Sequence, residues 1–179
     1  IGLYVNRGGT IAYLANDKGI VVVDAQFIDT AEVFWKGLKK SERRIDYLIN
    51  THHHGDHTNG NFFLKAHADK IVAQQNVPGL QKQAAESRGN LDQQAYPDTL
   101  FEKEWSVEVA GEKIKVNHIQ PAHTGGDAVI HFQNANVAHL GDLVFNRYPA
   151  YIDLKAGAHI SGWIAVMHQL YDHFDKDTQ

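Results

Sequence analysis

The sequence has 179 residues, of which 43% are hydrophobic, enough for one domain with a sizeable core. A net charge of −4 with both signs interspersed leaves no basic stripe for nucleic acid or an anionic membrane. The absence of cysteine excludes disulfides and thiolate metal sites, and no apolar run approaches the ~20 residues of a membrane helix.

The sequence begins at Ile1, so any targeting segment has been removed or lies outside it. Without cysteines the redox compartment stays open, and we expect a periplasmic or secreted location. The oligomeric state is also left open. The 12 histidines outnumber the 7 tyrosines, which makes a metal site the first hypothesis to test.

The first half of the chain alternates strand and helix patterns. Two short strands joined through Gly8 and Gly9 precede an apolar run that is typical of a buried strand. A helix with one apolar face follows, and it leads to the strand before the richest histidine cluster. The predicted elements are strands at 3–5, 10–14 and 20–23, a helix over 28–38, a strand at 45–50, a short helix from 62, a strand at 71–73 and a helix over 78–88.

The second half contains hairpins and one more helix. Residues 88–101 are irregular and polar, so they either flank an active-site cleft or form a surface excursion. Strands are predicted at 105–109, 113–118, 128–132 and 137–140, and an amphipathic helix follows Ser161. Strands with helices between them indicate two packed sheets with helices outside, although the pattern alone predicts only a mixed α and β protein.

The densest chemistry lies in residues 51–57 (THHHGDH), directly after the predicted strand at 45–50. Alternate residues of an extended segment point the same way, so His52 and His54 can converge on one metal ion. Asp56 and His57 can then face a second ion beside it. Imidazole and carboxylate ligands suit zinc, with iron or manganese also possible. A solvated polar loop is the alternative, but four potential ligands at one strand exit disfavour it.

This stretch resembles the His-x-His-x-Asp-His signature of the metallo-beta-lactamase superfamily. The resemblance continues, in the family's order and spacing, at 120–127 (QPAHTGGD) and 139–145 (HLGDLVF). It implies an α+β fold, the four-layer αβ/βα sandwich, with metals at one edge between the sheets. Residues 1–179 would form a single domain.

The resemblance also implies a ligand set for two zinc ions in a complete domain. His52, His54 and His123 would bind the first ion and leave an open position, as catalytic zinc sites do. Asp142 would bridge both ions, and Asp56 with His57 would bind the second. Two further residues are expected to act indirectly or on the substrate, and the alternatives for them are a polar strand end and a plain surface arginine. They are Asp24, which would support the metal loop by hydrogen bonds, and Arg147, which would contact an anionic substrate group.

The remaining histidines match no ligand position of the family. His53 occupies a variable position and should point away from the metals. Members of the family take a last histidine for the second ion from a strand well after Asp142. Because residues 173–179 read as a helix end and turn, the domain is expected to be C-terminally incomplete, with that histidine beyond residue 179. The alternative is that His159, or a histidine of a neighbouring molecule, replaces it.

These features predict a metallo-hydrolase that works without a covalent enzyme intermediate. A hydroxide bridging the two ions, from a water with a pKa of about 7, would attack the substrate, and Asp56 would orient it or carry a proton. We expect a small carbonyl substrate, namely a β-lactam, lactone, ester or thioester, and neither nucleic acid nor membrane as partner. The alternatives are a phosphodiesterase or ribonuclease of the same superfamily and a non-catalytic metal-binding member.

Overall fold

The computed structural model describes residues 1–7, 9–38 and 43–179; Gly8 of the predicted glycine turn therefore lies outside the described residues. Within those ranges, ten strands form two β-sheets. The strands are β1 (Gly2–Asn6), β2 (Gly9–Asn16), β3 (Gly19–Val23), β4 (Ile45–Ile49), β5 (Ala68–Gln74), β6 (Thr99–Phe101), β7 (Glu104–Val109), β8 (Glu112–Asn117), β9 (Val129–Phe132) and β10 (Val137–His139). The helices are α1 (Ile28–Leu38), α2 (Gly55–Thr58), α3 (Asn61–Leu64), α4 (Val77–Arg88) and α5 (Ile160–His173).

The first sheet has the strand order β1-β2-β3-β4-β5-β6. Strands β1 to β3 form an antiparallel meander, and β3 to β6 run parallel. All of β3 is buried, and its residues are apolar on both sides, as a strand covered on both faces requires. Val23 pairs with Ile49, so β3 and β4 end side by side and bring Asp24 next to the start of the histidine-rich loop, residues 51–60.

The second sheet is antiparallel, with the order β10-β9-β8-β7. Asn117 at the end of β8 pairs with Val129, and His139 at the end of β10 pairs with Ile130. The loop after β8 and the end of β10 therefore lie at the same edge of this sheet. The loop after β8 carries His123, and Asp142 follows β10.

Three hydrophobic cores separate four layers of secondary structure. Phe34 of α1 packs on the outer face of the first sheet, and Val21 and Phe132 belong to the core between the two sheets. Leu170 of α5 packs with Val129 on the far face of the second sheet. The predicted α+β fold, a four-layer αβ/βα sandwich, is confirmed.

The irregular segment at 88–101 is partly ordered. It contains a short 3₁₀ turn at Leu91–Gln93 and ends in β6, which extends the parallel sheet at its edge. Ala95 is buried, and its carbonyl accepts a hydrogen bond from Asn61 Nδ2 at 3.4 Å. The segment therefore packs against α3, the helix that directly follows the histidine-rich loop. Among the described helices, none is long and apolar enough to span a membrane.

Candidate metal centre

The histidine-rich loop, residues 51–60, begins where β4 ends and is anchored to Asp24. The buried Asp24 carboxylate accepts hydrogen bonds from Thr51 N and Thr51 Oγ1, both at 2.8 Å, and from His57 Nδ1 at 2.7 Å. Burial alone would raise the pKa of Asp24, but His57 and His139 lower it below its ordinary range. The ionised carboxylate thus supports the loop, as the resemblance implied.

Three imidazoles meet with one nitrogen each pointing to a common centre. His54 Nδ1 lies 3.1 Å from His52 Nε2 and 3.0 Å from His123 Nε2, and the two Nε2 atoms are 3.3 Å apart. His52 and His123 are each 1% exposed. Asp142 Oδ2 completes the group at 3.7 Å from His123 Nε2.

The other nitrogen of each ring faces a hydrogen-bond acceptor. His123 Nδ1 lies 2.7 Å from the Tyr151 carbonyl, which can only accept, and His54 Nε2 lies 3.0 Å from Asp153 Oδ2. His52 Nδ1 is 3.0 Å from Thr51 Oγ1, whose own hydrogen is donated to Asp24. Each ring therefore carries its proton on the outside and turns a lone pair towards the centre.

Three converging lone pairs repel one another unless a cation lies between them. A tetrahedral zinc ion with ordinary Zn–N bonds separates its nitrogen ligands by ~3.3 Å, close to the distances found here. Burial, followed by the neighbouring His57, lowers the pKa of His52 well below its ordinary value and so favours the neutral, metal-binding form. The imidazoles therefore fit a divalent metal such as zinc.

A second group of possible ligands lies beside the first. His57 Nε2 is 3.2 Å from Asp142 Oδ1 and 3.8 Å from Asp56 Oδ2, and Asp142 also belongs to the first group. His57 Nε2 is buried yet makes no hydrogen bond of acceptable geometry. Although burial opposes the charged form, Asp24 and then Asp142 raise the pKa of His57 well above its ordinary value. A positive charge, from a proton or from a metal ion, is therefore favoured at this position.

The two carboxylates lie on the open side of the centre. Their side chains are 34% exposed in Asp56 and 27% in Asp142, against 4% in His57. Two aromatic rings of the segment after Asp142 flank the imidazoles: the centroids of Phe145 and Tyr151 lie 5.7 and 5.8 Å from that of His123. A molecule arriving from solvent would meet the carboxylates and this apolar wall.

The loop that carries His123 is fixed by a buried acid. Asp127 accepts hydrogen bonds from Ala122 N at 3.1 Å and from Thr124 N at 2.9 Å, the residues on either side of His123. Ala128 N also donates to the Thr51 carbonyl at 2.7 Å. These contacts join the second sheet to the histidine-rich loop, so His123 reaches the same centre as His52.

Other residues singled out from the sequence lie apart from these two groups. His53 is 5% exposed and belongs to neither, although its donor atoms lie within 4.8 Å of those of His54 and Asp153. His159 Nδ1 accepts from Gly162 N at 2.8 Å and so caps α5 instead of joining the second group. Arg147 is exposed with a left-handed backbone (φ 67°), and among the described residues nothing ties it to the centre by a hydrogen bond or ion pair.

Sequence reasoning missed Asp153 and the carbonyl of Tyr151. His54 and Asp153 are 99 residues apart in the chain, and a main-chain oxygen leaves no mark in a sequence. A lone Asp in the irregular stretch after Asp142 gives no local signal of a role. Only the fold brings it to the imidazole.

Comparison with known proteins gives a consistent family. The model of the metallo-beta-lactamase superfamily matches residues 5–179. The chain is 27% identical over 152 residues to a protein of Schizosaccharomyces pombe named a probable hydroxyacylglutathione hydrolase. That match covers 80% of this chain and 50% of the relative, so the chain spans about half the length of the curated relative.

Solved structures share the fold at low sequence identity. A metallo-beta-lactamase from Pontibacter korlensis superposes with a TM-score of 0.76 at 16% identity, and the metallo-beta-lactamase IND-7 with 0.75 at 22%. Each comparison covers 98% of this chain and 80% of the solved chain. Identities this low show the fold alone, whereas the family model covers nearly the whole chain. The chain therefore belongs to the metallo-beta-lactamase superfamily.

Proposed function

We propose that this chain is a zinc-dependent hydrolase of a small carbonyl substrate, with His52, His54 and His123 holding one ion. Asp56, His57 and Asp142 would hold a second, with Asp142 shared. One observation carries the proposal: each of the first three imidazoles has its outer nitrogen bonded to an acceptor and its inner lone pair free. Without a cation, such converging lone pairs in a buried cluster cost free energy, whereas a bound metal ion would satisfy them.

When bound, such ions supply Lewis acidity and lower the pKa of water to about 7. The protein's own side chains then position the substrate and relay a proton. Asp56 lies at the open side, where a partly exposed carboxylate can accept a proton and release it to solvent. Phe145 and Tyr151 provide an apolar surface beside His123 for the non-reacting part of a substrate.

A thioester is the substrate class that we place first among the carbonyl compounds. The supporting fact is the similarity to a protein named as a hydroxyacylglutathione hydrolase. β-Lactams, lactones and oxygen esters share the same electrophilic carbonyl and stay within the proposal. A phosphodiester is the competing substrate class, and a metal-binding protein without activity is the competing role.

The proposal is tested by turnover of a substrate panel. The purified chain, loaded with zinc, is assayed with a hydroxyacyl-glutathione thioester, a chromogenic β-lactam, an aryl ester and bis(p-nitrophenyl) phosphate. We expect carbonyl substrates to be hydrolysed, the activity to vanish with a chelator and to return with zinc. His52→Ala should be inactive, whereas His168→Ala, which removes an exposed histidine of α5, should match the wild type.

Each contrary result has a distinct meaning. Turnover of the phosphodiester alone would replace the carbonyl substrate with the alternative of a phosphodiesterase or ribonuclease. Zinc binding without turnover of any substrate would favour the non-catalytic role. Full activity in a preparation that elemental analysis shows to be metal-free would exclude the metal mechanism.

A further inference from the structure

A short segment after Asp142, residues 151–153, holds two of the three converging imidazoles from outside. The Tyr151 carbonyl accepts from His123 Nδ1 at 2.7 Å, and Asp153 N donates to the His123 carbonyl at 2.9 Å. Asp153 Oδ2 lies 3.0 Å from His54 Nε2. Of these contacts, the one to His54 is the only one made by a side chain, so it is the only one that a substitution can remove cleanly.

The two oxygens of Asp153 have different partners. Oδ1 accepts from Lys155 N and Ala156 N, both at 3.2 Å, and so caps the 3₁₀ turn at Leu154–Ala156. Oδ2 is left for the imidazole of His54. The side chains of His54 and Asp153 are 15% and 17% exposed, so little water competes for this contact.

His54 differs from the other two imidazoles in the nitrogen that it turns to the centre. It is the one imidazole of the three that turns Nδ1 to the centre, whereas His52 and His123 turn Nε2. An Nδ1 that accepts a metal requires the proton on Nε2, where Asp153 Oδ2 accepts it. A carboxylate on the outer nitrogen also fixes the ring's rotation and makes the inner nitrogen more basic.

We propose that Asp153 is a positioning residue that sets the orientation and metal affinity of His54. This inference rests on the proposed metal centre and assigns the residue no contact with the substrate. Asp153 also connects the centre to the exposed segment that contains Phe145 and Tyr151. The same stretch of chain thus lines the open side and holds the ligands from behind.

Two substitutions separate the imidazole contact from the cap. Asp153→Ser keeps a good cap for the turn, but its side chain is too short to reach His54. Asp153→Asn has one oxygen, which can serve the turn or the imidazole but not both. Gly157→Ala is the matched control for the turn, because Gly157 closes it at φ 84°, where a Cβ introduces strain.

The measurement is zinc affinity by competition with a chromophoric chelator, together with thermal unfolding of the metal-free proteins and the absorption spectrum of cobalt-loaded samples. We expect Asp153→Ser and Asp153→Asn to bind zinc about 10- to 100-fold more weakly, the usual effect of losing an outer partner. Their cobalt spectra should shift. The metal-free Ser variant should unfold near the wild-type temperature, and Gly157→Ala should lower that temperature while keeping wild-type affinity.

Wild-type zinc affinity in a folded Asp153→Ser protein would overturn the inference. An equal loss of affinity in Gly157→Ala would overturn it too, because the turn and not the carboxylate would then be responsible. The proposed function fails differently: the wild-type chain itself would bind no zinc, or would bind zinc and hydrolyse nothing.

Discussion

The two neighbouring groups of potential ligands differ in composition and in exposure. The first contains three imidazoles whose outer nitrogens all meet acceptors, and two of these residues are 1% exposed. The second contains one imidazole and two partly exposed carboxylates, of which Asp142 is shared with the first. From this difference we propose that the first group holds a metal ion tightly, whereas the second holds an ion more weakly and meets solvent and substrate through its carboxylates. Substitutions in and around the two groups test that division.

Removing an imidazole of the first group should have the largest effect. His123→Ala leaves two neutral nitrogens, so zinc affinity should fall by more than the roughly 100-fold upper range for losing an outer partner. Hydrolysis should drop to background. Chelator competition and turnover measure both, with His168→Ala as the control. Retained tight binding would remove His123 from the proposed ligands.

Changing Asp56 should separate catalysis from tight binding. Asp56→Asn keeps the shape of the side chain but removes a proton acceptor, so kcat/KM should fall by about 10²- to 10⁴-fold. Tight zinc binding at the imidazoles and the unfolding temperature should both be retained. If Asp56→Asn weakened tight zinc binding as much as His123→Ala does, Asp56 would belong to the first group and the two groups would not differ in role.

Changing Asp24 should weaken the base of the loop and the second group. Asp24→Asn has one oxygen for the donors Thr51 N, Thr51 Oγ1 and His57 Nδ1, so buried donors lose their acceptor. The free energy of unfolding should fall by about 1–3 kcal/mol, measured by urea denaturation of the metal-free protein. Unchanged stability would show that Asp24 is not the anchor of the loop.

The smallest effect is expected at His53. Its ring is buried, so His53→Ala should lower the free energy of unfolding by about 1 kcal/mol. Zinc affinity and turnover should stay within about twofold of the wild type, because His53 belongs to neither group. A collapse of affinity comparable to that of His52→Ala would place His53 among the ligands.

The sequence predicts the architecture and the clustering well, for local physical reasons. The period-two spacing of His52 and His54 predicts convergence, and the apolar β3 predicts a strand buried between layers. Both depend only on neighbouring residues. The short β6 is not predicted, because three residues are too few for a periodic pattern.

Contacts between distant parts of the chain are where sequence reasoning ends. The bond from His54 to Asp153 and the Tyr151 carbonyl depend on how a long loop folds back on the centre. The burial of His53 could not be predicted either. An alternating pattern places His53 on the side opposite the ligands, but it does not show that α4 covers that side. For Arg147 the contact with an anionic substrate stays a prediction.

Calorimetric titration of zinc into the metal-free chain tests the division between the two groups most directly. Neutral imidazoles with fixed tautomers should bind one ion tightly. The second ion is offered one imidazole and two partly exposed carboxylates among the described residues, so it should bind more weakly. We expect two resolved binding events, with Asp56→Asn reducing only the weaker one. Two tight and equivalent sites, both weakened by Asp56→Asn, would contradict the account.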